Sequence, residues 1–413
     1  MPTAVAEPDP AVLRSMLARV TSGSAYLREK LAAAGVTPRT IGHPEDLAEL
    51  PFTTKEELRE TGMLRYAAVT PDRIVRVHSS SGTTGRRTIC AYTARDVDDW
   101  ADMQARCYRY AGLTADDRIQ VAVGYGLWTA GIGFQTGAER LGAMAVPTGP
   151  GNTELQLEML RELRSTALSA TASYLLLLAE LVEKRGLRPE LALRVAITGG
   201  ERWGEATRAR IESLLGIETF DLYGLTELWG PGTGAECSRH DGIHVWSDHY
   251  HVEIIDPETL EPVPPGVAGE IVVTTLNKEA TPLIRYRTRD LSYRYPDPCP
   301  CGSPYPRIGR IQGRSDDQVK VRGVIFVPMQ VDTVLADLPG AGPEFQAHID
   351  RDANGRDSLT IRVEATGEPG LGEVLERRLR DRIGLRVDLD LLEPGTLPRS
   401  EGKTRRVFDH RDL

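Results

Sequence analysis

The sequence predicts an α/β protein: a large N-terminal domain of helix-covered mixed or parallel sheets with a β region, then a small, mobile α+β C-terminal domain. Three observations carry this. Helix-type and strand-type periodicities alternate from residue 96 to residue 222, as they do when helices connect the strands of a parallel sheet. After Gly230 the texture changes to strand-like runs separated by dense proline and glycine, which reads as an antiparallel β region closing the large domain. Beyond Gly313-Arg-Ser-Asp-Asp317 the last roughly 100 residues carry a pattern of their own, the size of a small domain. At 413 residues the chain exceeds what one hydrophobic core usually serves, so the division falls at 1–313 and 314–413.

Taken in order, helical spacing over residues 10–35 lines up Leu13, Met16, Leu17 and Val20, then Tyr26, Leu27 and Leu31, as an N-terminal helical cap. In Pro51-Phe-Thr-Thr-Lys-Glu-Glu-Leu58, Thr53 or Thr54 is a helix N-cap with Glu56 or Glu57 reaching back, and the expected role is structural. Strand-type runs at 73–78 and 88–92 flank a Ser/Gly-rich loop. A helix over 96–112, a strand at 118–123, a helix over 129–141 and a strand at 143–147 follow. Further strands fit 167–170, 194–198 and 218–222, with helices over 153–163, 174–184 and 204–214. The β region includes 251–255 and 269–275. The final unit reads as a strand at 318–321, a helix over 330–336, strands near Phe345 and Leu359, a helix over 371–383 and a strand at 386–391.

Hydrophobic residues at 40% and charged residues at 26% are ordinary for a globular protein. A net charge of −9 leaves no basic field for a nucleic-acid backbone, so DNA and RNA are disfavoured partners. The acidic, proline-rich start is unlike a signal peptide and no run is long enough to span a bilayer, so a cytoplasmic protein without a membrane partner is expected. Five cysteines, scattered but for one close pair, suit reduced thiols or a metal site.

Four stretches carry chemistry. Residues 79–85, Ser-Ser-Ser-Gly-Thr-Thr-Gly, set glycine-freed amides beside small hydroxyls, the makings of a phosphate grip; alone, such a stretch is more often a surface turn. Its strand–loop–strand setting and its lack of the Gly-x4-Gly-Lys spacing separate it from kinases and GTPases. Asp221-Leu-Tyr-Gly-Leu-Thr-Glu227 places an acid and an aromatic at a strand end, then a hydroxyl for a phosphate oxygen and a carboxylate for magnesium. In Leu283-Ile-Arg-Tyr-Arg-Thr-Arg-Asp290 the carboxylate could accept both ribose hydroxyls or pair with the surrounding arginines. Pro398-Arg-Ser-Glu-Gly-Lys403 is a glycine-flanked lysine on a loop.

In this order, together with Gly313-Arg-Ser-Asp-Asp317, the stretches resemble the adenylate-forming (acyl-CoA synthetase/ligase) superfamily. Pro51-Phe-Thr-Thr-Lys55, Tyr125-Gly-Leu127, Gly137-Ala-Glu-Arg-Leu-Gly142 and Arg314-Ser-Asp-Asp317 narrow the resemblance to the phenylacetate–CoA ligase family, over nearly the whole chain. The resemblance implies two half-reactions, ATP-dependent conversion of an acid to acyl-AMP and then transfer to a thiol. It implies that Ser81, Gly82, Thr83, Thr84 and Gly85 grip the β- and γ-phosphates, Thr226 the α-phosphate and Glu227 the magnesium ion. Gly200, Glu201, Asp221 and Tyr223 would frame the adenine, Asp290 and Arg314 the ribose side, and Lys403 would bridge carboxylate and α-phosphate. Rotation about Asp316 would then withdraw Lys403 and admit the thiol.

By the same resemblance, Tyr125, Trp128, Gly131, Thr198 and Pro231 line the acid pocket, which suits phenylacetate or a benzoate bearing hydroxyl or amino groups. Coenzyme A is the expected thiol, a carrier protein or other nucleophile the alternative, and a homodimer is admissible. Two departures stand out: Arg86-Arg87 where the family often has Lys-Pro, and Lys320 on a strand usually more apolar. A catalytically silent nucleotide-binding protein is disfavoured because Glu227, Asp290 and Lys403 are all present. Cys299 and Cys301 supply two thiolates from one loop, and Cys237 with His244 would complete a closed, structural zinc site, His240 being the rival fourth ligand. Cys90 and Cys107 read as small buried hydrophobes.

Overall fold

The computed structural model describes residues 9–37, 43–80, 87–201, 203–315, 319–322, 324–351, 356–398 and 406–411, with the side chains of Lys320 and Ile325 excepted. Ser24 divides the N-terminal helical cap: its hydroxyl accepts the Leu27 amide at 3.2 Å, ending α1 (Pro10–Gly23) and starting α2 (Ala25–Ala33). Thr54, not Thr53, caps α3 (Lys55–Thr61), accepting the Glu57 amide at 3.2 Å; the short α4 (Met63–Tyr66) follows. The Ser/Gly-rich loop joins two antiparallel strands as predicted, β1 (Arg76–Ser79) and β2 (Ile89–Tyr92). The next helix, α5 (Ala94–Tyr110), begins two residues earlier than its apolar pattern suggests, because Thr93 and Asp96 form a capping box.

The main sheet is built from β3 (Arg118–Val121), β4 (Met144–Val146), β5 (Ala167–Ala170), β6 (Val195–Gly199), β7 (Glu218–Leu225), β8 (Gly230–Glu236) and β9 (Ile243–Val245). Its connectors are α6 (Ala130–Leu141), α7 (Thr153–Glu162), α8 (Ala172–Lys184) and α9 (Glu205–Leu215). Strands β10 (Tyr250–Ile255), β11 (Gly269–Thr275), β12 (Tyr286–Ser292), β13 (Arg307–Ile308) and β14 (Gly313–Arg314) come next. The eight-stranded sheet runs β13-β9-β8-β7-β6-β5-β3-β4, parallel from β7 to β4 and antiparallel from β7 outward to β13, so the sheet is mixed. Successive residues of one strand feed two cores: Val195 and Ile197 pack with Trp100 and Phe134, whereas Ala196 packs with Leu175 and Ile211. Helices therefore cover both faces. Strands β10-β11-β12-β14 form the antiparallel β region.

The C-terminal unit holds β15 (Val319–Val321), β16 (Val324–Phe326), α10 (Met329–Ala336), β17 (Ala341–Arg351), β18 (Asp357–Ala365), α11 (Leu371–Ile383), β19 (Asp388–Leu392) and β20 (Val407–Asp409). Phe326, Leu335, Phe345, Ile361 and Leu379 share a core of their own. Its sheet, β19-β18-β17-β20, contains one strand the sequence did not announce: β20 is three residues long, and pairs in parallel with β17. Among the described residues no helix is long and apolar enough to cross a membrane.

Candidate active site

Strands β6 and β7 run side by side, Thr198 beside Asp221 and Gly199 beside Leu222, and their carboxyl ends open a crevice of the kind in which α/β sheets bind ligands. There β7 passes into the turn Thr226–Leu228 and returns as β8, with Trp229 at φ 83° and Gly230 at φ 140°. Gly224 and Pro231 pair across this hairpin, and a Cβ on Gly224 would meet the Pro231 Cα at 2.8 Å, so the turn closes only around glycine. Its carbonyls are held from beneath. The buried Tyr92 hydroxyl sits 3.0 Å from the Thr226 carbonyl and 2.8 Å from that of Trp229 and donates between them. Lys278 Nζ donates to the Glu227 carbonyl at 2.8 Å and the Tyr250 hydroxyl to that of Leu228 at 2.8 Å. Lys278 is wholly buried, its ammonium also facing the rings of Tyr92 and Trp229 at 4.8 and 4.9 Å, and burial pulls its pKa below the usual lysine value.

Beside this turn, β12 and β14 pair Asp290 with Arg314. Arg314 Nη1 lies 3.2 Å from Asp290 Oδ1, and the Tyr223 hydroxyl donates to Oδ2 at 2.8 Å, so the half-buried Arg314 and the buried Tyr223 and Asp290 form one group. Burial, then the Asp290 charge, drives the Tyr223 pKa far above the usual phenol range, which keeps its proton on as donor. Asp221 Oδ2 accepts from Arg310 Nε at 3.2 Å, and Arg310 also donates to the Trp203 carbonyl. Glu201 receives the amide and hydroxyl of Ser173 at 2.5 and 2.6 Å, which fixes it at the first turn of α8; Gly200 takes φ 81°.

One residue assigned a purely structural setting by sequence reaches the site. Lys55 Nζ stands 3.2 Å from Glu227 Oε1, whose side chain is only 3% exposed. Thr53 bridges Tyr286 in parallel, with Thr53 N to the Arg285 carbonyl at 3.1 Å and Arg287 N to the Thr53 carbonyl at 2.9 Å. The Arg285 guanidinium lies 4.0 Å from the Phe52 ring centre, so Pro51 to Lys55 is stitched to the strand carrying Asp290. Lys55, Leu225, Glu227, Thr288, Arg289 and Arg314 thus line one cleft.

Residues 122–129 lead from β3 to α6. Trp128 stands between the ends of β3 and β6: a Cβ at Gly124 would lie 2.9 Å, and one at Gly200 3.6 Å, from its indole. A Cβ at Gly131 would lie 2.5 Å from the Tyr125 ring. Pro231 accepts the Trp100 indole N–H at 2.8 Å, and Thr129 Oγ1 lies 3.4 Å from Thr226 Oγ1, joining this wall to the turn. The hydroxyls of Tyr125, Thr198, Ser79 and Ser80 and Nε2 of His78 are buried without a hydrogen-bond partner. The loop Ser81, Gly82, Thr83, Thr84 and Gly85, with Arg86, Asp316 and Lys403, lies outside the described residues.

The profile "AMP-binding enzyme" matches residues 14–277 and "AMP-binding enzyme C-terminal domain" matches 323–411. Phenylacetate-coenzyme A ligase of Pseudomonas putida is 40% identical over 93% of this chain and 89% of its own, and that of Escherichia coli is 40% identical over 94% and 90%. The chain belongs to the phenylacetate–CoA ligase family. As a member it is an acid–thiol ligase of the adenylate-forming superfamily. Among solved structures, 2-hydroxyisobutyryl-CoA ligase in its postadenylation state with 2-HIB-AMP superposes with a TM-score of 0.90, 28% identity and coverage of 97% of this chain and 89% of that one. The same ligase with 2-HIB-AMP and CoA in its thioesterification state reaches only 0.71, at 29% identity and coverage of 97% and 88%. The chain therefore superposes more closely on the postadenylation structure than on the thioesterification one.

Away from the crevice, donor atoms of Cys237, His244, Cys299 and Cys301 all lie within 4.8 Å of one another. His240 is not among them: it sits against Glu236, Glu218 and Arg208. The register explains the choice, because β9 pairs His244 with Arg307 of β13, next to the cysteine loop. Sγ of Cys237 and Cys299 are 3.8 Å apart, and Cys301 Sγ is 3.5 Å from His244 Nε2. Tetrahedral zinc at ~2.3 Å from sulfur and ~2.0 Å from nitrogen needs separations of about 3.8 and 3.5 Å. His244 Nδ1 faces the Tyr305 carbonyl at 3.2 Å, which leaves Nε2 as the free lone pair, and burial lowers its pKa to about 4. The residues fit a metal ion. Cys90 and Cys107 are buried, and burial pushes the Cys90 thiol up to about 12.

Proposed function

We propose that this ligase condenses an aromatic acid, phenylacetate or a hydroxy- or amino-benzoate, with ATP to acyl-AMP and pyrophosphate, then transfers the acyl group to coenzyme A. The observation that carries the reading is the pinned Thr226–Trp229 turn, set beside the Tyr223–Asp290–Arg314 group and joined through Thr129 to the segment bearing Tyr125 and Trp128. Acid and triphosphate repel each other, so rate comes from fixing both and from cations placed where charge develops.

In this reading a carboxylate oxygen bonds to the α-phosphorus, the bond from that phosphorus to the bridging oxygen breaks, and pyrophosphate leaves. Ser81 to Gly85 hold the outer phosphates, Thr226 the α-phosphate, and Lys403 spans carboxylate and phosphate. Gly200, Glu201, Asp221 and Tyr223 frame the adenine; Asp290, paired with Arg314, accepts from the ribose. Glu227 has a buried oxygen without a hydrogen bond, a fit for the single carboxylate that magnesium commonly takes beside phosphates. Glu227 would hold magnesium there, where the ion would supply charge neutralisation to the leaving pyrophosphate. Tyr125, Trp128, Gly131, Thr198 and Pro231 hold the ring. In the second step the small unit turns about Asp316, Lys403 withdraws, and a thiolate attacks the acyl carbon as AMP departs. Cys237, His244, Cys299 and Cys301 would supply four ligands to a zinc ion, which would clamp the ends of β8 and β9 to the cysteine loop.

The test is pyrophosphate release from ATP and magnesium against a panel of benzoic, hydroxybenzoic, aminobenzoic and phenylacetic acids, with and without coenzyme A. The reading expects acid-dependent release, and a thioester only with coenzyme A. Adenylate that coenzyme A never discharges would transfer the second step to a carrier-protein thiol or other nucleophile. No release with any aryl acid would overturn the substrate class.

A further inference from the structure

Three buried carboxylates among the described residues are well supplied with donors. Asp96 accepts the amides of Thr93, Glu279 and Ala280. Glu236 accepts two bonds from Arg208 and the Asp221 amide, and Glu270 two from Arg287 and the Ser315 hydroxyl. Glu227 differs. It is as buried, its Oε1 accepts no hydrogen bond, and the ammonium paired with that oxygen is that of Lys55 at 3.2 Å, the Lys278 ammonium being bound to the Glu227 carbonyl. A buried carboxylate compensated so thinly is costly unless another cation takes over. The neighbouring guanidiniums are committed elsewhere, Arg287 and Arg289 to Glu270 and Arg314 to Asp290.

Lys55 suits exchange. Its backbone is fixed by the Thr53–Tyr286 bridge and the Thr54 cap, while its side chain is a point charge on a flexible stem, 31% exposed in the cleft. We propose that Lys55 is the resident counter-cation of Glu227. It holds the carboxylate's charge while the site is metal-free and yields the carboxylate to the divalent cation that accompanies the nucleotide, its ammonium turning to the phosphate oxygens. The inference rests on the reading of Glu227 as the metal residue.

The test is calorimetric affinity for α,β-methylene-ATP, in EDTA and in excess Mg2+, with wild type, Lys55→Met, Lys55→Arg and Glu227→Gln. In EDTA, Lys55→Met leaves Glu227 facing the phosphates uncompensated, and affinity falls about tenfold or more, as loss of a close charge pair does. In Mg2+ the same variant stays within about threefold of wild type, and Lys55→Arg regains much of the EDTA binding. Glu227→Gln in the Lys55→Met background abolishes the EDTA defect. An equal loss with and without Mg2+ would make Lys55 a plain phosphate ligand and overturn the proposal, as would no loss in either condition, or wild type that binds in Mg2+ but not in EDTA. Full Mg2+ enhancement in Glu227→Gln would instead remove the metal role of Glu227, and no binding under any condition would remove the functional reading itself.

Discussion

Replacing Tyr92 by phenylalanine deletes one oxygen from a fully buried side chain and leaves its shape intact. The ring keeps its stack on Trp100 at 5.6 Å and its contact with the Lys278 ammonium at 4.8 Å, so no packing term enters. What is lost is the donor shared by the carbonyls of Thr226 and Trp229. One O–H satisfies about one acceptor at a time, so the stability cost is that of one orphaned buried carbonyl, roughly 1–3 kcal/mol. The larger effect falls on rate. Thr226 and Glu227 sit on the released turn, and a displacement approaching 1 Å costs about 100-fold. Urea unfolding followed by tryptophan fluorescence gives the first quantity and pyrophosphate-release kinetics the second. Stability within ~0.5 kcal/mol of wild type together with unchanged kcat would refute the idea that this hydroxyl holds the turn.

Asp290→Asn keeps the shape of the Tyr223–Asp290–Arg314 group but removes the charge that Arg314 balances; KM for ATP rises about tenfold or more while KM for the acid holds, measured by varying each substrate in turn. Gly131→Ala drives a methyl into the Tyr125 ring, so kcat/KM falls and the ranking of aryl acids changes in the same panel assay, with ATP affinity intact. Purified ligase carries about one zinc per chain by elemental mass spectrometry; Cys299→Ser or Cys301→Ser lowers that content and the melting temperature. Burial works to raise the Glu236 pKa, but His240, Arg208 and the Asp221 amide prevail and hold it near about 2, below its unfolded value of 4.5. Its contribution is therefore complete above pH 4.5 and is lost as the pH falls toward 2, so acid unfolding of Glu236→Gln shows a shallower pH dependence across that window.

Alternation of strand and helix was readable because each element satisfies its own pattern locally, and Asp221 to Glu227 was readable because one strand and one turn carry the whole group. Pairing across distance was not. Lys55 reaches Glu227 only because Thr53 adds to the edge of β12, a contact no local period encodes. Tyr92, Tyr250 and Lys278 looked like ordinary strand and loop residues, since their task is to hold carbonyls in a turn far along the chain. Spacing left His240 as a rival to His244, and strand register separated them. β20, at three residues, is too short to show a period and exists because β17 supplies its partner.

The turn carrying Thr226 and Glu227 is held by three side chains drawn from β2, β10 and the segment after β11, all of them buried. Two ligases could thus share every residue lining the crevice and still differ in speed, because the difference would be stored one layer deeper. Catalogues of pocket residues would score such a pair as identical. Selection for faster or slower turnover has here a set of positions it can vary without altering which acid is recognised.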